Sequence, residues 1–192
     1  MKKGLLIILS GPSGVGKGTV RKEIMSRHKL QLDYSISMTT REPRAKETDG
    51  VDYYFVSEEQ FKENIAKGNF LEWAEFVGHY YGTPKDKVEA LRNMGRNIFL
   101  EIEINGATQV MEQVKDPGVV SIFLMPPSID ALEKRIRKRK SESEDIIQER
   151  LTKVEKEMSM TKNYDYVVLN DRIERAADEI ISILLKKVQE NK

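Results

Sequence analysis

Short apolar runs alternate with longer amphipathic stretches along most of this chain. Mostly apolar runs cover 5–9, 98–104 and 119–125, and a shorter run covers 166–169. Strands that are apolar at nearly every position are typical of a parallel sheet covered on both faces. The amphipathic stretches predict helices at about 17–28, 84–95, 105–115, 128–139, 144–162 and 172–189. The alternation predicts an α/β fold with a doubly wound parallel sheet.

Residues 35–83 interrupt this alternation. They contain Thr, Tyr, Gly and aromatic residues in place of a simple crossover helix, apart from a short amphipathic run near 57–67. We interpret them as an inserted lobe of mixed strands. A chain of 192 residues is long enough for one domain with a substantial core but short for two. We therefore expect a single domain over 1–192, with its core at about 1–34 and 84–192.

Composition narrows the possible partners and compartments. Charged residues make up 33% of the chain, yet the formal net charge is only +1, so bulk charge favours neither nucleic acid nor a membrane as partner. The absence of cysteine excludes disulfides and thiolate metal sites. No apolar stretch approaches the roughly 18 residues of a membrane-spanning helix. We expect a soluble cytoplasmic protein, whose oligomeric state the sequence does not predict.

The most informative motif is the glycine-rich loop at residues 11–19, which reads GPSGVGKGT and lies between the first predicted strand and helix. A turn in this position directs backbone N–H groups and the positive end of the helix dipole at one point, which suits a phosphate. Gly11, Gly14 and Gly16 permit positive φ angles, and the Lys17 ammonium can reach β- and γ-phosphates. We expect a nucleoside triphosphate site rather than an ordinary turn.

One position departs from the generic form of this motif. Gly18 follows the lysine directly, and the hydroxyl comes one residue later, at Thr19. A magnesium ion is therefore expected to be held mainly by phosphate oxygens and water, with Thr19 or a carboxylate such as Glu101 as a candidate ligand. The strict alternation of Leu100–Ile104 predicts that Glu101 and Glu103 project from one face of one strand, whose end lines the ligand crevice.

Three further groups of residues have two interpretations each. Arg41 and Arg44 lie among hydroxyl residues and suit a monoester phosphate, although both could be ordinary surface arginines. Glu72 lies between large apolar neighbours and could accept hydrogen bonds from guanine, or it could face solvent on a strand. The basic run at 134–140 could contact phosphates, or it could be a solvated helix face.

Several segments occur together and in a fixed order. They read GPSGVGKGT, SISMTTREPR, DGVDYYFVS, FLEWAEF with HYYGT, FLEIEINGA, and the block 126–150. In this combination the sequence resembles the guanylate kinase family over roughly residues 4–185. The resemblance implies a P-loop core, a GMP-binding lobe at about 35–83 and a small helical lid at about 137–150. It also implies ATP-dependent phosphorylation of GMP, with dGMP as a further acceptor, in the presence of Mg²⁺ and within purine nucleotide metabolism and GMP recycling.

The resemblance also implies roles for individual residues. The residues expected to bind ATP are Gly11, Pro12, Ser13, Gly14, Val15, Gly16, Lys17, Gly18, Thr19, Arg135 and Asn170. The residues expected to bind GMP are Ser37, Arg41, Arg44, Tyr53, Glu72, Tyr81, Thr83 and Glu103. The residues expected to act in catalysis are Lys17, Arg41, Arg139 and Arg150. Glu103 stands where many members carry Asp, and Thr83 stands where some carry Ser.

Two alternatives stay open at this point. Domains that resemble guanylate kinases also serve as peptide-binding scaffolds, although those typically lack parts of the loop or the lid arginines, which are present here as Lys17, Arg139 and Arg150. A kinase with the same core fold could also phosphorylate a different small acceptor.

Overall fold

The computed structural model describes residues 2–76, 78–138 and 144–191. In chain order the strands are β1 (Leu6–Ser10), β2 (Leu32–Tyr34), β3 (Met38–Thr39), β4 (Tyr54–Phe55), β5 (Phe70–Phe76), β6 (His79–Pro84), β7 (Asn97–Glu101), β8 (Val119–Met125) and β9 (Tyr166–Leu169). The α-helices are α1 (Lys17–Ser26), α2 (Glu58–Ala66), α3 (Lys85–Asn93), α4 (Ile104–Gln113), α5 (Ile129–Lys138), α6 (Glu144–Met158) and α7 (Ile173–Glu190). None of these described helices combines the length and apolar character needed to cross a bilayer.

The core is a parallel sheet with the strand order β2-β7-β1-β8-β9, which confirms the predicted α/β fold. All five residues of β1 are buried, because helices cover both faces of the sheet. Leu5, Ile7 and Leu9 pack with residues of α1 and α7 on one face. Leu6 and Ile8 pack with residues of α3 and α4 on the other. The central position of β1 places the loop that follows it at the carboxyl edge of the sheet, where ligands bind in such folds.

The strand predicted over 98–104 is wrong at its carboxyl end. β7 ends at Glu101, and α4 begins at Ile104 with Glu103 as its N-cap. Glu101 and Glu103 therefore do not project from one face of one strand. The alternating pattern has another cause: Ile102 and Ile104 are buried in the same apolar cluster, one from the connecting segment and one from the first helical position.

The sequence pattern does not predict β2, the edge strand of the core sheet. Its sequence Leu32-Asp33-Tyr34 is short and polar at the centre, yet all three residues pair in register with β7. Four helices also end at least two residues earlier than predicted. α3 ends at Asn93 rather than 95, and α4 ends at Gln113 rather than 115. α1 ends at Ser26 rather than 28, and α6 ends at Met158, where a 3₁₀ turn over Ser159–Asn163 replaces its last predicted turn.

A second sheet has the order β4-β3-β6-β5 and confirms the expected lobe of mixed strands. β3 pairs parallel with β4 and antiparallel with β6, and β5 and β6 form an antiparallel hairpin. The helix of this region, α2, begins with a capping box formed by Ser57 and Gln60. β5 packs against α4, so the second sheet meets the core along this helix. The exact limits of the lobe stay a prediction.

The lid predicted at 137–150 is only partly described, because residues 139–143 lie outside the described residues. Arg137 near the end of α5 donates to both carboxylate oxygens of Glu144 at the start of α6, at 2.5 and 2.7 Å. These hydrogen bonds lower the pKa of Glu144 to about 2. The pair therefore connects the two helices that would form the lid.

Candidate active site

The glycine-rich loop joins β1 to α1. Gly11, Gly14 and Gly16 have φ angles of 148°, 84° and 101°, which residues with side chains rarely adopt. A Cβ on Gly11 would also collide with the carbonyl oxygen of Leu124 in β8. Gly16 is the N-cap of α1, and no described side chain caps this end of the helix. The first N–H groups of α1 are thus oriented toward the loop, as an anion site requires.

The Lys17 ammonium lies inside the loop. Its Nζ donates to the carbonyl oxygens of Gly11 at 2.7 Å and of Pro12 at 3.3 Å. It also lies 3.5 Å from Oε1 of Glu103, and only 10% of the Lys17 side chain is exposed. A full positive charge and several N–H dipoles therefore converge at one place, which suits an anion that carries several negative charges.

Asn170 supports the loop from the core side. It follows β9, it is 2% exposed, and its Nδ2 donates to the carbonyl oxygen of Val15 at 2.7 Å. A Cβ on Gly16 would lie 3.0 Å from the same Nδ2. The geometry thus gives Asn170 a contact with the loop backbone.

Of the two hydroxyl residues in the loop, Ser13 is half-buried and Thr19 is exposed.

Glu101 lies beside the position where the generic loop carries its hydroxyl. A Cβ on Gly18 would lie 3.2 Å from Oε1 of Glu101. The other oxygen, Oε2, accepts a hydrogen bond from Nε of Arg21 at 2.7 Å, which holds the carboxylate against the first turns of α1. A larger residue at position 18 would crowd this carboxylate. Among the residues described, no group of three or more His, Cys, Asp or Glu side chains is arranged to hold a metal ion.

Arg41, in the lobe, forms an ion pair with Glu47. Its Nη2 donates to both carboxylate oxygens of Glu47 at 2.9 Å, and its Nη1 donates to the Glu42 carbonyl oxygen at 2.6 Å. The N–H of Arg44 donates to Oε2 of Glu47 at 2.9 Å, while the Arg44 side chain is exposed. The Arg44 hydrogen bond and the Arg41 guanidinium lower the pKa of Glu47. Sequence reasoning missed Glu47, whose only signal is an acid three residues after Arg44.

Two tyrosines border this ion pair. The rings of Tyr53 and Tyr81 meet edge to face with centroids 6.2 Å apart, and Cζ of Arg41 lies 5.6 Å from the Tyr53 centroid. Both tyrosines are half-buried, and burial raises the pKa of Tyr53, which favours its protonated, hydrogen-bond-donating form. The group combines a guanidinium with two phenols, a set of donors that suits a monoester phosphate.

Glu72 is a buried carboxylate on β5, so the alternative of a solvent-facing glutamate is wrong. It is 8% exposed, and a register shift in the hairpin pairs it with Thr83 of β6. The Thr83 hydroxyl donates to Oε1 of Glu72 at 2.5 Å. Burial raises the pKa of Glu72, and the Thr83 hydrogen bond opposes this effect. Ser37, expected at the same base, is half-buried between β2 and β3.

The two groups of site residues meet at the start of α4. Glu103, the N-cap, faces Lys17, and Gly106 lies one turn later against the carboxylate of Glu72. Glu157 of α6 adds a further acid that interacts electrostatically with Glu103 and Lys17, and burial raises its pKa. Sequence reasoning missed Glu157, because a glutamate within an amphipathic helix carries no distinguishing signal.

The three lid arginines expected at the phosphates are described only in part. The backbones of Arg135 and Arg150 belong to α5 and α6. Their side chains lie outside the described part of the chain, as does the whole of Arg139. Their roles stay predictions.

Comparison with known proteins points in one direction. The family model described as guanylate kinase matches residues 3–187. A guanylate kinase from a strain of Bacillus cereus is 53% identical over 184 residues, which is 96% of this chain and 89% of that protein. A guanylate kinase from Bacillus subtilis (strain 168) is 50% identical with the same coverage. The crystal structure of guanylate kinase from Anaplasma phagocytophilum has a TM-score of 0.75 at 35% identity, covering 97% of this chain and 87% of that one.

Proposed function

The chain belongs to the guanylate kinase family, and from this premise we propose how its own residues carry out the reaction. It phosphorylates GMP to GDP with ATP as the donor. The observation that carries this conclusion is the match of the family model over residues 3–187. We expect the protein to act in the cytoplasm, on small nucleotides rather than on nucleic acids or membranes, within purine nucleotide metabolism.

On the donor side, the N–H groups of the glycine-rich loop and Lys17 bind the β- and γ-phosphates of ATP. The Lys17 ammonium donates to two neutral carbonyl oxygens in the structure, and phosphate oxygens would replace them as charged acceptors, which form stronger hydrogen bonds. Asn170 contacts the loop backbone through Val15, and the family resemblance implies that the adenine binds near it. Arg135 is the further donor-side residue that the resemblance implies.

On the acceptor side, Glu72 and Glu103 accept hydrogen bonds from the N1–H and 2-amino groups of guanine, with Ser37 and Thr83 beside them. Adenine has an acceptor at N1 and no amine at C2, so it would leave the buried Glu72 without a donor from the base. Sites of this kind discriminate by about 10⁴ or more. The burial of Glu72 is the observation that supports this assignment.

The phosphate of GMP binds to Arg41, Arg44, Tyr53 and Tyr81. Support comes from the guanidinium and the two rings that the structure brings together. Glu47 pairs with Arg41 in the structure, so the incoming phosphate has to share this guanidinium with Glu47 or displace it.

ATP-dependent phosphoryl transfer generally requires Mg²⁺, and the residues beside the loop fit this ion. Oε1 of Glu101 lies beside Gly18, at the position where the generic loop carries its hydroxyl. We propose Glu101 as the residue that would hold Mg²⁺, directly or through water; Thr19 is exposed and one residue farther along the loop. When bound, the ion would neutralise negative charge on the phosphates.

The transfer is a direct in-line displacement. One oxygen of the GMP phosphate attacks the γ-phosphorus, a new P–O bond forms as the bond to the β–γ bridging oxygen breaks, and ADP leaves. The attacking phosphate is already an anion near neutral pH, so no side chain has to remove a proton. Lys17 and Arg41 position the two phosphates and supply positive charge. Arg139 and Arg150 are proposed to add charge when the lid closes and excludes water.

A coupled assay for ADP formation with ATP, Mg²⁺ and a panel of acceptors tests the function. The panel contains GMP, dGMP, AMP, UMP and sugar phosphates. We expect rapid turnover with the guanine nucleotides alone. Failure with every acceptor would favour a scaffold, and activity confined to another acceptor would contradict the GMP assignment.

A further inference from the structure

We propose that helix α4 sets the position of the guanine-reading carboxylate: Gly106 fixes how closely Glu72 approaches the helix, and Gln109 holds the strand that carries it. Both are positioning residues. The inference rests on the proposed role of Glu72 in guanine recognition.

Gly106 leaves no room for a side chain next to Glu72. A Cβ on Gly106 would lie 2.5 Å from Oε2 of Glu72, 3.1 Å from its Cδ and 3.3 Å from its Cγ. The carboxylate cannot simply swing into solvent, because Glu72 is buried and its Oε1 accepts from Thr83 on the neighbouring strand. An alanine at position 106 would therefore displace the carboxylate from the place where it meets the base.

Glycine at this position needs an explanation, because alanine is intrinsically favoured over glycine in a helix. Gly106 has a helical backbone, not the positive φ angle that would require glycine. The close approach of Glu72 is therefore the feature that explains it.

Gln109 lies one turn farther along α4 and binds the backbone of the residue after Glu72. Its Nε2 donates to the Trp73 carbonyl oxygen at 3.0 Å, and its Oε1 accepts from the Trp73 N–H at 3.2 Å. β5 is an edge strand of its sheet, so these groups are available to a side chain from the core. The paired hydrogen bonds fix both the position and the direction of the strand at Glu72.

Glu103, Gly106 and Gln109 are spaced three residues apart and so lie along one side of α4. Glu103 is itself one of the two proposed guanine acceptors. A single helix therefore carries one acceptor and holds the other in place. The separation of the two acceptors is determined by α4, although Glu72 belongs to the second sheet.

The decisive test is Gly106→Ala in the full chain, measured with GMP and with IMP, which lacks the 2-amino group. The added methyl group should displace the Glu72 carboxylate by about an ångström. We expect the KM for GMP to rise about 10- to 100-fold, because a misplacement of this size weakens recognition. The GMP-to-IMP preference should shrink while the KM for ATP stays unchanged, and a melting curve checks that the variant is folded. Thr108→Ala is the matched control, since the Thr108 hydroxyl donates to the Ile104 carbonyl oxygen of its own helix.

A double-mutant cycle with Glu72→Gln separates this inference from the proposed function. If Gly106 acts through Glu72, the two effects on the KM for GMP will be far from multiplicative. Glu72→Gln that keeps the wild-type nucleotide preference would refute the base assignment itself. If Glu72→Gln loses this preference while Gly106→Ala folds and keeps the wild-type KM for GMP, only the role of α4 is overturned. If Gly106→Ala does not fold, Gln109→Ala decides by the same readouts: a raised KM for GMP supports the inference, and an unchanged KM overturns it.

Discussion

The two regions proposed to bind the nucleotides are built from different groups. The glycine-rich loop presents main-chain N–H groups, and three glycines with positive φ angles fix their directions. The pocket of the second sheet presents side chains, and two of them are held by other side chains: Arg41 by Glu47 and Glu72 by Thr83. The first region depends on backbone conformation, and the second depends on pairs of side chains.

This difference separates main-chain donors, whose directions the backbone sets, from a guanidinium that is paired with a carboxylate. The backbone of the loop directs its N–H donors at the proposed phosphate position. Arg41, by contrast, has to share or release Glu47 before it can bind a phosphate. We therefore expect changes in the loop to affect the donor and the rate of transfer, and changes in the pocket to affect which acceptor is chosen.

Lys17→Ala should have the largest effect. Removing the only side-chain charge inside the loop should lower kcat about 10³-fold and leave the KM for GMP nearly unchanged. Steady-state rates at varied GMP concentration, with a melting curve as a check on folding, measure this. A large rise in the KM for GMP at unchanged kcat would contradict the assignment of the donor to the loop and of the acceptor to the pocket.

Glu72→Gln should have the second largest effect, on the preference for the acceptor nucleotide rather than on the rate of transfer. The amide can still bond to Thr83, but it no longer offers two acceptor oxygens to the base, so the preference for GMP over AMP should fall about 10²-fold or more. The ratio of kcat/KM for the two nucleotides measures this. Glu75→Gln, on the exposed part of the same strand, is the matched control and should keep the preference.

Gly16→Ala should have a smaller effect that is confined to the donor. Forcing a side chain into the left-handed region costs about 1–2 kcal/mol, which should lower the melting temperature by a few degrees. A distortion of this energy should raise the KM for ATP about tenfold. Gly68→Ala also has a positive φ angle but open space around it, so it should lose stability without a change in the KM for ATP.

The pH dependence of GMP binding should show the smallest effect. Burial raises the pKa of Glu72, and the protonated acid accepts fewer hydrogen bonds from guanine, so the KM for GMP should rise as the pH falls. The effect on stability has the opposite sign: the contribution of Glu72 is present below its unfolded pKa and is lost as the pH rises through the folded pKa. Both trends should be absent from Glu72→Gln, and profiles of that variant identical to wild type would contradict this account.

The glycine-rich loop could be predicted from the sequence because the residues that determine its conformation are adjacent. Glu47 and Gly106 could not be found in this way, since each matters through a partner that the folding of the second sheet or the packing of α4 supplies. The error at Glu103 has a related cause. Alternating apolar residues can belong to one strand, or they can be shared between the end of a strand and the start of a helix.

The sequence pattern also did not predict the burial of a charged side chain. Arg92 of α3 is fully buried, and it donates to Asp116 and to the Gly4 carbonyl oxygen. Arginine is seldom fully buried in proteins, because an unpaired guanidinium is costly to remove from water. Glu89 of the same helix also accepts a hydrogen bond from Arg92, whereas Asp116, which accepts two, is brought close only by the fold.

The contact between Gln109 and Trp73 has a consequence for behaviour at high concentration. A bare edge strand offers its N–H and carbonyl groups as a template on which a second copy can add a strand. At Trp73 both groups are occupied by one side-chain amide, which imitates a neighbouring strand without extending the sheet. Without this amide, the edge next to the exposed Trp73 and Phe76 would be open to intermolecular strand addition and aggregation.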